Sequence, residues 1–581
     1  MFRRPHVILL ACAAVAGAMA RPVAAQTPDA IAAALQPLAG GANQYAVEAI
    51  GLTAEGRRIV ALEPALPPVA NQRRVVIVGG LDGSPEATRA VLDVLRWSGQ
   101  SGAVVSSNRR RWQVAGVPCV LAGRYDAAGT ASVSVAPFPP EKGYFDAPQD
   151  REARFLWRWV TMLGPDLVVD VRGGERLEWR ANSVASGLVA GAAPAAPDSF
   201  AGALGVGAPS GLAPVAALQV GGPATEVIAA LRQLLERRPP NEPSPLQRVL
   251  TTRQARTPLA VARLLAGIYP ASPIMSYIPA LSWSGALSVS ALTGDPQYRN
   301  RAVEQMQPFL SGAKPAIATP NLLTSLAGHQ AFFDLARRER NAEALALGRA
   351  AADFILGQTD GEIVRFATSW TDDMFMATSV LARATAATGE ARYGNAVARL
   401  LTTYIERLQR DDRLFIHAAS GPHAWGRGNG FAAFGLMEAL THLPATWPAR
   451  PQVLTAFQRL MNGMRRHQAA DGAWHQVVDE PGTYREFTVT AMTVAAMARG
   501  VRLGWLDRSY REVVDKGWRA VLARVSDAGE LVDVCTGTGA GQNATREYYL
   551  NRPALFGPDD RGGAMALTAA LEVHALVSAA P

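Results

Sequence analysis

The feature that most limits what this chain can fold into is a change of hydrophobic pattern near residue 240. Upstream, short continuous apolar runs end in paired glycines. Downstream, apolar residues recur at helical spacing almost to the end of the chain. The change falls on Arg237-Arg238-Pro239-Pro240-Asn241-Glu242-Pro243-Ser244-Pro245. So many prolines cannot lie inside a helix or a central strand, and the polar, Pro-rich composition reads as a linker. The expected organisation is therefore multidomain: an α/β domain over 27–236, a linker over 237–250 and an all-α domain over 251–581.

In the first domain, Val75-Val76-Ile77-Val78 runs into Gly79-Gly80, which suits a buried parallel strand. A helical pattern follows at Glu86–Trp97, and Leu167–Val171 is a second strand ending in Arg172-Gly173-Gly174. Turns of this kind at the C-terminal ends of neighbouring strands predict a cleft there. Ala181–Gly222 is apolar but studded with Gly, Pro and Ser, and reads as irregular loops. In the second domain twelve helical segments are expected, at 254–268, 283–294, 298–312, 321–337, 341–357, 372–388, 390–409, 429–442, 450–469, 487–503, 508–525 and 562–578. Gly389, Pro444, Gly504 and Pro553 mark ends of segments. Without a strict sequence period this is not a plain solenoid, and twelve antiparallel helices predict an (α/α)6 barrel.

Composition removes several function classes. Charged residues are 18% of the chain and the formal net charge is +8, part of it from Arg3, Arg4 and Arg21 near the start. No dense basic run interleaves with aromatics, so no nucleic-acid partner is expected. No histidine lies between residues 7 and 328, which excludes histidine chemistry from the first domain. There is no Cys-x-x-Cys pair; Cys119 and Cys535 read as buried thiols, and no metal or cofactor is expected. The start has a basic n-region, an apolar run from Val7 to Ala20 and an Ala-x-Ala-like site at Val23-Ala24-Ala25. This reads as a secretory signal over 1–25, cleaved before Gln26, with lipid attachment at Cys12 as the alternative. It places the protein in the periplasm or outside the cell; the run is too short to span a bilayer, and no stable membrane span is expected elsewhere.

The loops between the predicted helices carry the chemistry. Trp370-Thr371-Asp372-Asp373 puts two carboxylates beside an aromatic at a helix start. His417 follows a polar turn, and Trp425-Gly426-Arg427-Gly428-Asn429-Gly430-Phe431 combines an indole, a cation and permissive glycines. Trp474-His475-Gln476 and Tyr484-Arg485-Glu486 add further groups. Flat rings suit the apolar faces of a pyranose, and charged groups suit its hydroxyls and carboxylate. Each element also has a plainer role: a carboxylate can cap the helix, and one tryptophan can be core.

Two resemblances follow. Ala49–Ile59 is similar to the opening motif of zinc carboxypeptidases, with Gly79–Gly83 and Asp170–Gly173 where that family keeps its metal ligands. Here those positions read Asp82, Pro85 and Arg172, and a guanidinium cannot ligate zinc. The resemblance implies a carboxypeptidase-like α/β domain without its metal. Residues 275–578 resemble the unsaturated uronyl hydrolases of glycoside hydrolase families 105 and 88. The Trp-x-Asp-x-x-Phe-Met segment, the His417 turn, Trp-Gly-Arg, Asp-Gly-x-Trp-His-Gln and the Gly537-Thr538-Gly539…Tyr549…Arg552-Pro553 tail occur in family order.

That likeness implies the (α/α)6 barrel and removal of a 4,5-unsaturated uronic acid from an oligosaccharide left by a lyase. It implies Asp372 as catalytic acid, with Trp370, His417, Trp425 and Arg427 on substrate and Phe431 where the family often has Trp. Asp373, Trp474, His475 and His329 complete the expected binding set. One departure stands out: the family usually has a second acid on an earlier helix, and here Thr324–His329 holds no carboxylate. Asp373 or His329 substitutes, the substrate is a variant one, or activity is lost. A decayed glycan-binding protein and another glycosidase on the same barrel remain as alternatives.

Overall fold

The computed structural model describes residues 27–41, 44–101, 111–121, 138–139, 151–206, 213–317, 322–356, 363–539 and 544–579. The expected signal segment, with Cys12 and the cleavage site before Gln26, lies outside them. Cys119 and Cys535 are both buried and free.

The N-terminal half is built on a mixed sheet. Its described strands are β1 (Tyr45–Leu52), β2 (Arg58–Pro64), β3 (Gln72–Gly79), β4 (Arg111–Val117), β5 (Leu167–Arg172), β6 (Glu178–Ala181), β7 (Ala193–Pro194) and β8 (Ala216–Gly221). They lie in the order β1-β2-β4-β3-β5-β8-β6-β7, with β4, β3, β5 and β8 parallel. Helix α1 (Pro28–Leu35) precedes the sheet; α2 (Pro85–Ser101), α3 (Arg151–Leu163), α4 (Phe200–Leu204) and α5 (Ala224–Glu236) cross between strands or follow them. The apolar run 75–78 is buried on both faces because residues alternate in a strand. Val75 and Ile77 pack with Val91 and Leu95 of α2, while Val76 and Val78 join Trp157 and Val160 of α3. That second core continues without a break into the C-terminal half.

Two expectations change here. Part of 181–222 is a central strand: β8 pairs with β5 on one side and β6 on the other. The glycines around it conceal a short buried run. The last six residues of the expected linker 237–250 belong to a helix, α6 (Pro245–Gln254). Pro245 sits in its first turn, where no amide hydrogen is required, and Ser244 Oγ accepts from the Gln247 amide at 3.0 Å. Ser244 also donates its own amide to Asp166 at 2.6 Å, so the connection is fixed to the first domain.

The C-terminal half is an (α/α)6 barrel. Six inner helices are α8 (Tyr277–Thr293), α11 (Gln330–Glu339, preceded by the short α10, Leu323–Leu326), α13 (Thr371–Thr388), α15 (Gly426–His442), α17 (Phe487–Arg502) and α20 (Asp560–Ser578). Each packs on the next, and α20 closes on α8. The outer helices are α7 (Pro258–Ile268), α9 (Pro296–Leu310), α12 (Ala342–Leu356), α14 (Ala391–Leu408), α16 (Arg450–Arg466) and α18 (Tyr510–Ala523). At the N-terminal ends of the inner helices the loops add two short ladders, β9 (Trp474–His475) with β10 (Arg485–Glu486) and β11 (Leu531–Cys535) with β12 (Ala554–Gly557), and the short helix α19 (Arg546–Leu550). Among the described residues no helix is long and apolar enough to cross a membrane.

The barrel axis is filled. Tyr277, Phe375, Phe431 and Phe434 pack ring against ring, with centroids 5.5–6.2 Å apart. Toward the C-terminal ends of the inner helices, charges alternate from helix to helix: Asp334, Arg383, Glu438, Arg499 and Glu572. Burial pushes the Glu438 carboxyl up, but Arg383, His442 and Arg499 outweigh it and hold it well below the usual range.

Candidate active site

The mouth of the barrel forms where the inner helices begin. Asp372 occupies the first turn of α13, where the helix dipole favours a carboxylate. Its side chain is 21% exposed, and Oδ2 lies 3.1 Å from His417 Nε2. His417 is held in turn by Tyr549, whose hydroxyl is 2.6 Å from Nδ1. Trp370 and Trp425 flank the imidazole at 5.4 and 4.6 Å between centroids, and the Arg427 guanidinium lies 5.0 Å over the Trp425 ring. The backbone fixes this order. Thr371 donates its amide to the His417 carbonyl at 2.9 Å, and Gly426 donates to the Gln476 carbonyl at 2.8 Å.

One wall comes from the strand leaving β11. Arg427 and Arg561 both donate to the Cys535 carbonyl at 3.0 Å, while Glu486 accepts the Cys535 amide at 2.9 Å. Arg552 donates to the Gly537 carbonyl, and Gly539 donates its amide to Tyr548 Oη at 3.1 Å. Gly537 adopts φ +124, a backbone region closed to other residues. A Cβ there would meet Arg427 Nη2, and one at Gly539 would meet the Trp370 ring, so this segment faces both. Around the mouth, Trp425 Nε1, Thr371 Oγ1 and Thr538 Oγ1 are buried without a hydrogen-bond partner among the described residues.

The structure thus brings together Asp372, Trp370, His417, Trp425 and Arg427. The remaining expected residues stand elsewhere. Asp373 is 2% exposed and turned away: Oδ2 accepts the Thr368 and Ser369 amides and the Tyr404 hydroxyl at 2.7, 2.9 and 2.6 Å. Adjacent helix residues point about 100° apart, so the pair cannot share one space. Burial pushes its carboxyl up to about 6. Its effect on the mouth is indirect, because it secures Ser369 at φ +65 immediately before Trp370.

Trp474 and His475 alternate along a strand and face opposite ways. Trp474 is core, with Nε1 donating to the Met464 carbonyl at 2.7 Å. His475 Nδ1 donates to the Thr483 carbonyl at 2.7 Å, and the ring lines a small cavity shared with Ile50 and Phe155 of the first domain. Phe431 is 1% exposed in the aromatic filling beneath the mouth. His329 is fully buried, with Nδ1 donating to the Leu326 carbonyl at 2.9 Å; burial pulls it down to about 4, so the ring is neutral and offers no acid.

Arg561 was missed from the sequence, while Thr371 and Tyr549 stood within quoted motifs without a role of their own. No local pattern signals the contact of Tyr549 with His417, because the two are 132 positions apart. Between the domains, Arg485 pairs with Glu63 at 2.8 and 2.9 Å and Arg158 with Asp533 at 2.9 Å. Among the described residues no three His, Cys, Asp or Glu side chains group as a metal site.

A carboxyl group beside an imidazole that two indoles flank, with a buried guanidinium next to them at the end of an (α/α)6 barrel, suits glycoside hydrolysis. The chain belongs to Glycosyl Hydrolase Family 88, whose profile matches residues 267–577. It is 29% identical over 175 residues to the unsaturated 3S-rhamnoglycuronyl hydrolase of Alteromonas sp. (strain LOR), covering 28% of this chain and 42% of that protein. It is 30% identical over 129 residues to the unsaturated rhamnogalacturonyl hydrolase YesR of Bacillus subtilis (strain 168), covering 22% and 35%. The match therefore spans less than half of either relative. A solved family 105 glycoside hydrolase from C. acetobutylicum ATCC 824 overlays 54% of this chain and 98% of its own at 19% identity, with a TM-score of 0.47.

Proposed function

We propose that this protein removes a 4,5-unsaturated uronic acid from the non-reducing end of lyase-generated oligosaccharides. The observation that carries this reading is the single oriented carboxyl group, Asp372, held by His417 between Trp370 and Trp425. The substrate is an enol ether. A proton from Asp372 to C4 leaves an oxocarbenium ion at C5, stabilised by the ring oxygen. Water adds at C5 and returns its proton to the Asp372 carboxylate. The hemiketal then opens and releases the remaining saccharide. One carboxyl group suffices, unlike the flanking pair of ordinary glycosidases. Arg427 supplies a cation for the substrate carboxylate.

The missing second acid fits this scheme, since no step requires it. The N-terminal domain is read as a carboxypeptidase-like shell lacking its metal, and the start of the chain as an export signal, placing the enzyme in the periplasm or outside the cell. The test is ultraviolet absorbance of the conjugated double bond, followed with lyase digests of uronic polysaccharides. Loss of absorbance that Asp372→Asn abolishes supports the reading. Tight saccharide binding without turnover favours a decayed binding protein, and release of a saturated sugar with the absorbance intact favours another glycosidase.

A further inference from the structure

His417 sits between a phenol and a carboxyl group, and a neutral imidazole has one donor and one acceptor nitrogen. Tyr549 is fully buried, and its hydroxyl has one hydrogen-bond partner among the described residues, His417 Nδ1. Burial, Tyr548 and Asp372 push the phenol up from its ordinary value, so it keeps its proton. An O–H with one acceptor in reach donates to it. Nδ1 therefore carries the lone pair and Nε2 the hydrogen, which Nε2 donates to Asp372 Oδ2 at 3.1 Å. Oδ1 of Asp372 has no partner among the described residues.

The hydroxyl is also confined by the backbone opposite. A Cβ on Gly421 would come within 2.5 Å of Tyr549 Oη. The turn that returns from His417 to His423 therefore passes close to this oxygen, and only a glycine fits. The charged and titratable groups around the pair are Asp372 from α13, Arg427 beyond the Trp425 ring, and Tyr548 and His423 against Tyr549 at 5.6 and 5.1 Å.

We propose that Tyr549 is a positioning residue that fixes the tautomer of His417 and thereby assigns the reacting proton to Oδ1 of Asp372. The assignment rests on the reading of Asp372 as the acid that hydrates the enol ether. Oδ1–H breaks as C4–H forms. The negative charge left on the carboxylate is met by the Nε2–H donor on Oδ2. The water that bonds to C5 gives its proton back to Oδ1. Neither His417 nor Tyr549 exchanges a proton in the step. Without the phenol, Nδ1 is free to take the hydrogen. A bare Nε2 would then accept the Asp372 proton and compete with C4 for it.

The experiment is long-range proton–nitrogen NMR on the full chain with nitrogen-15 histidine, read beside steady-state kinetics on an unsaturated uronic disaccharide across pH. In the wild type His417 should show a bare Nδ1 and a protonated Nε2. In Tyr549→Phe, which keeps the ring, that preference should be lost. Its kcat should fall about tenfold or more with KM within about twofold, and its pH–rate profile should move. Gly421→Ala, which crowds the hydroxyl, should act in the same direction. A wild-type spectrum with the hydrogen on Nδ1 overturns the proposal even if neither variant folds. So does Tyr549→Phe with wild-type kcat and an unmoved profile. If the wild type leaves unsaturated sugars untouched, the functional reading falls, while the spectrum still decides the tautomer.

Discussion

Two hollows in this molecule hold carboxylates beside arginines, and they differ in what those groups are doing. At the C-terminal ends of β5 and β8 is a cavity of about 390 Å³ lined by Arg172, Gly173, Arg176 and Arg180. At its edge Asp82 accepts the Ser84 amide on one oxygen at 3.0 Å and the Gly173 amide on the other at 2.7 Å. Asp170, fully buried, takes Arg172 on both oxygens at 2.8–3.0 Å. Both oxygens of each of these two aspartates are used by the chain itself, and the remaining carboxylates of the lining, Glu175 and Glu178, are exposed to solvent. At the barrel mouth Trp425 Nε1, Thr371 Oγ1 and Thr538 Oγ1 are buried with no partner among the described residues, beside the partly exposed Asp372. Buried polar groups are normally satisfied, so a cluster of unsatisfied ones marks where a solute belongs. The hydrogen-bond accounts separate the two places.

The largest test of this contrast is at the mouth. Asp372→Asn should lower kcat about a thousandfold or more with the fold intact, as removal of a general acid does; near-normal turnover would remove the distinction. Next is the seam between the halves. Glu63 is 1% exposed and accepts Arg485 and Trp159 Nε1, so Glu63→Gln leaves a buried guanidinium short of charge. It should cost about 3 kcal/mol in denaturant unfolding, and an unchanged midpoint would mean that the seam bears little load.

A smaller effect is pH-dependent. Burial, with Glu63 and Asp471 adding to it against Arg485, raises Glu48 from 4.5 to about 7. The folded state keeps this proton up to about pH 7, whereas the unfolded chain releases it near 4.5. The folded state thus binds more protons in that window, and stability falls as pH rises through it. Glu48→Gln should remove about 2 kcal/mol of that slope in melting curves recorded from pH 4.5 to 7; an identical slope would refute the assignment. Smallest of all, Asp82→Asn should cost about 1 kcal/mol of stability and leave kcat unchanged. Lost activity there would show that the sheet hollow takes part after all.

The helices were legible because apolar residues repeat through segments such as 390–409, observed as α14 at Ala391–Leu408. The first turn of α6 was hidden because Pro245, a helix-start residue, sits among prolines that break helices. Asp372, Trp370, His417, Trp425 and Arg427 were legible as short motifs at helix starts. Asp373 and Trp474 were not separable from them by residue type, although the helical and strand periods both imply that neighbours diverge. Tyr549 and Arg561 act through contacts spanning 132 and 26 positions. Such contacts are set by packing, which local pattern does not record.

The ring-packed axis and the alternating charges behind it stop the barrel at one end. Among the described residues the packed rings leave the mouth as the way in and the way out. Under the proposed function, such a socket suits a chain terminus and not a polymer in mid-run. Departure of the released sugar then becomes a precondition of the next arrival, so a product that lingers competes with its successor for the opening.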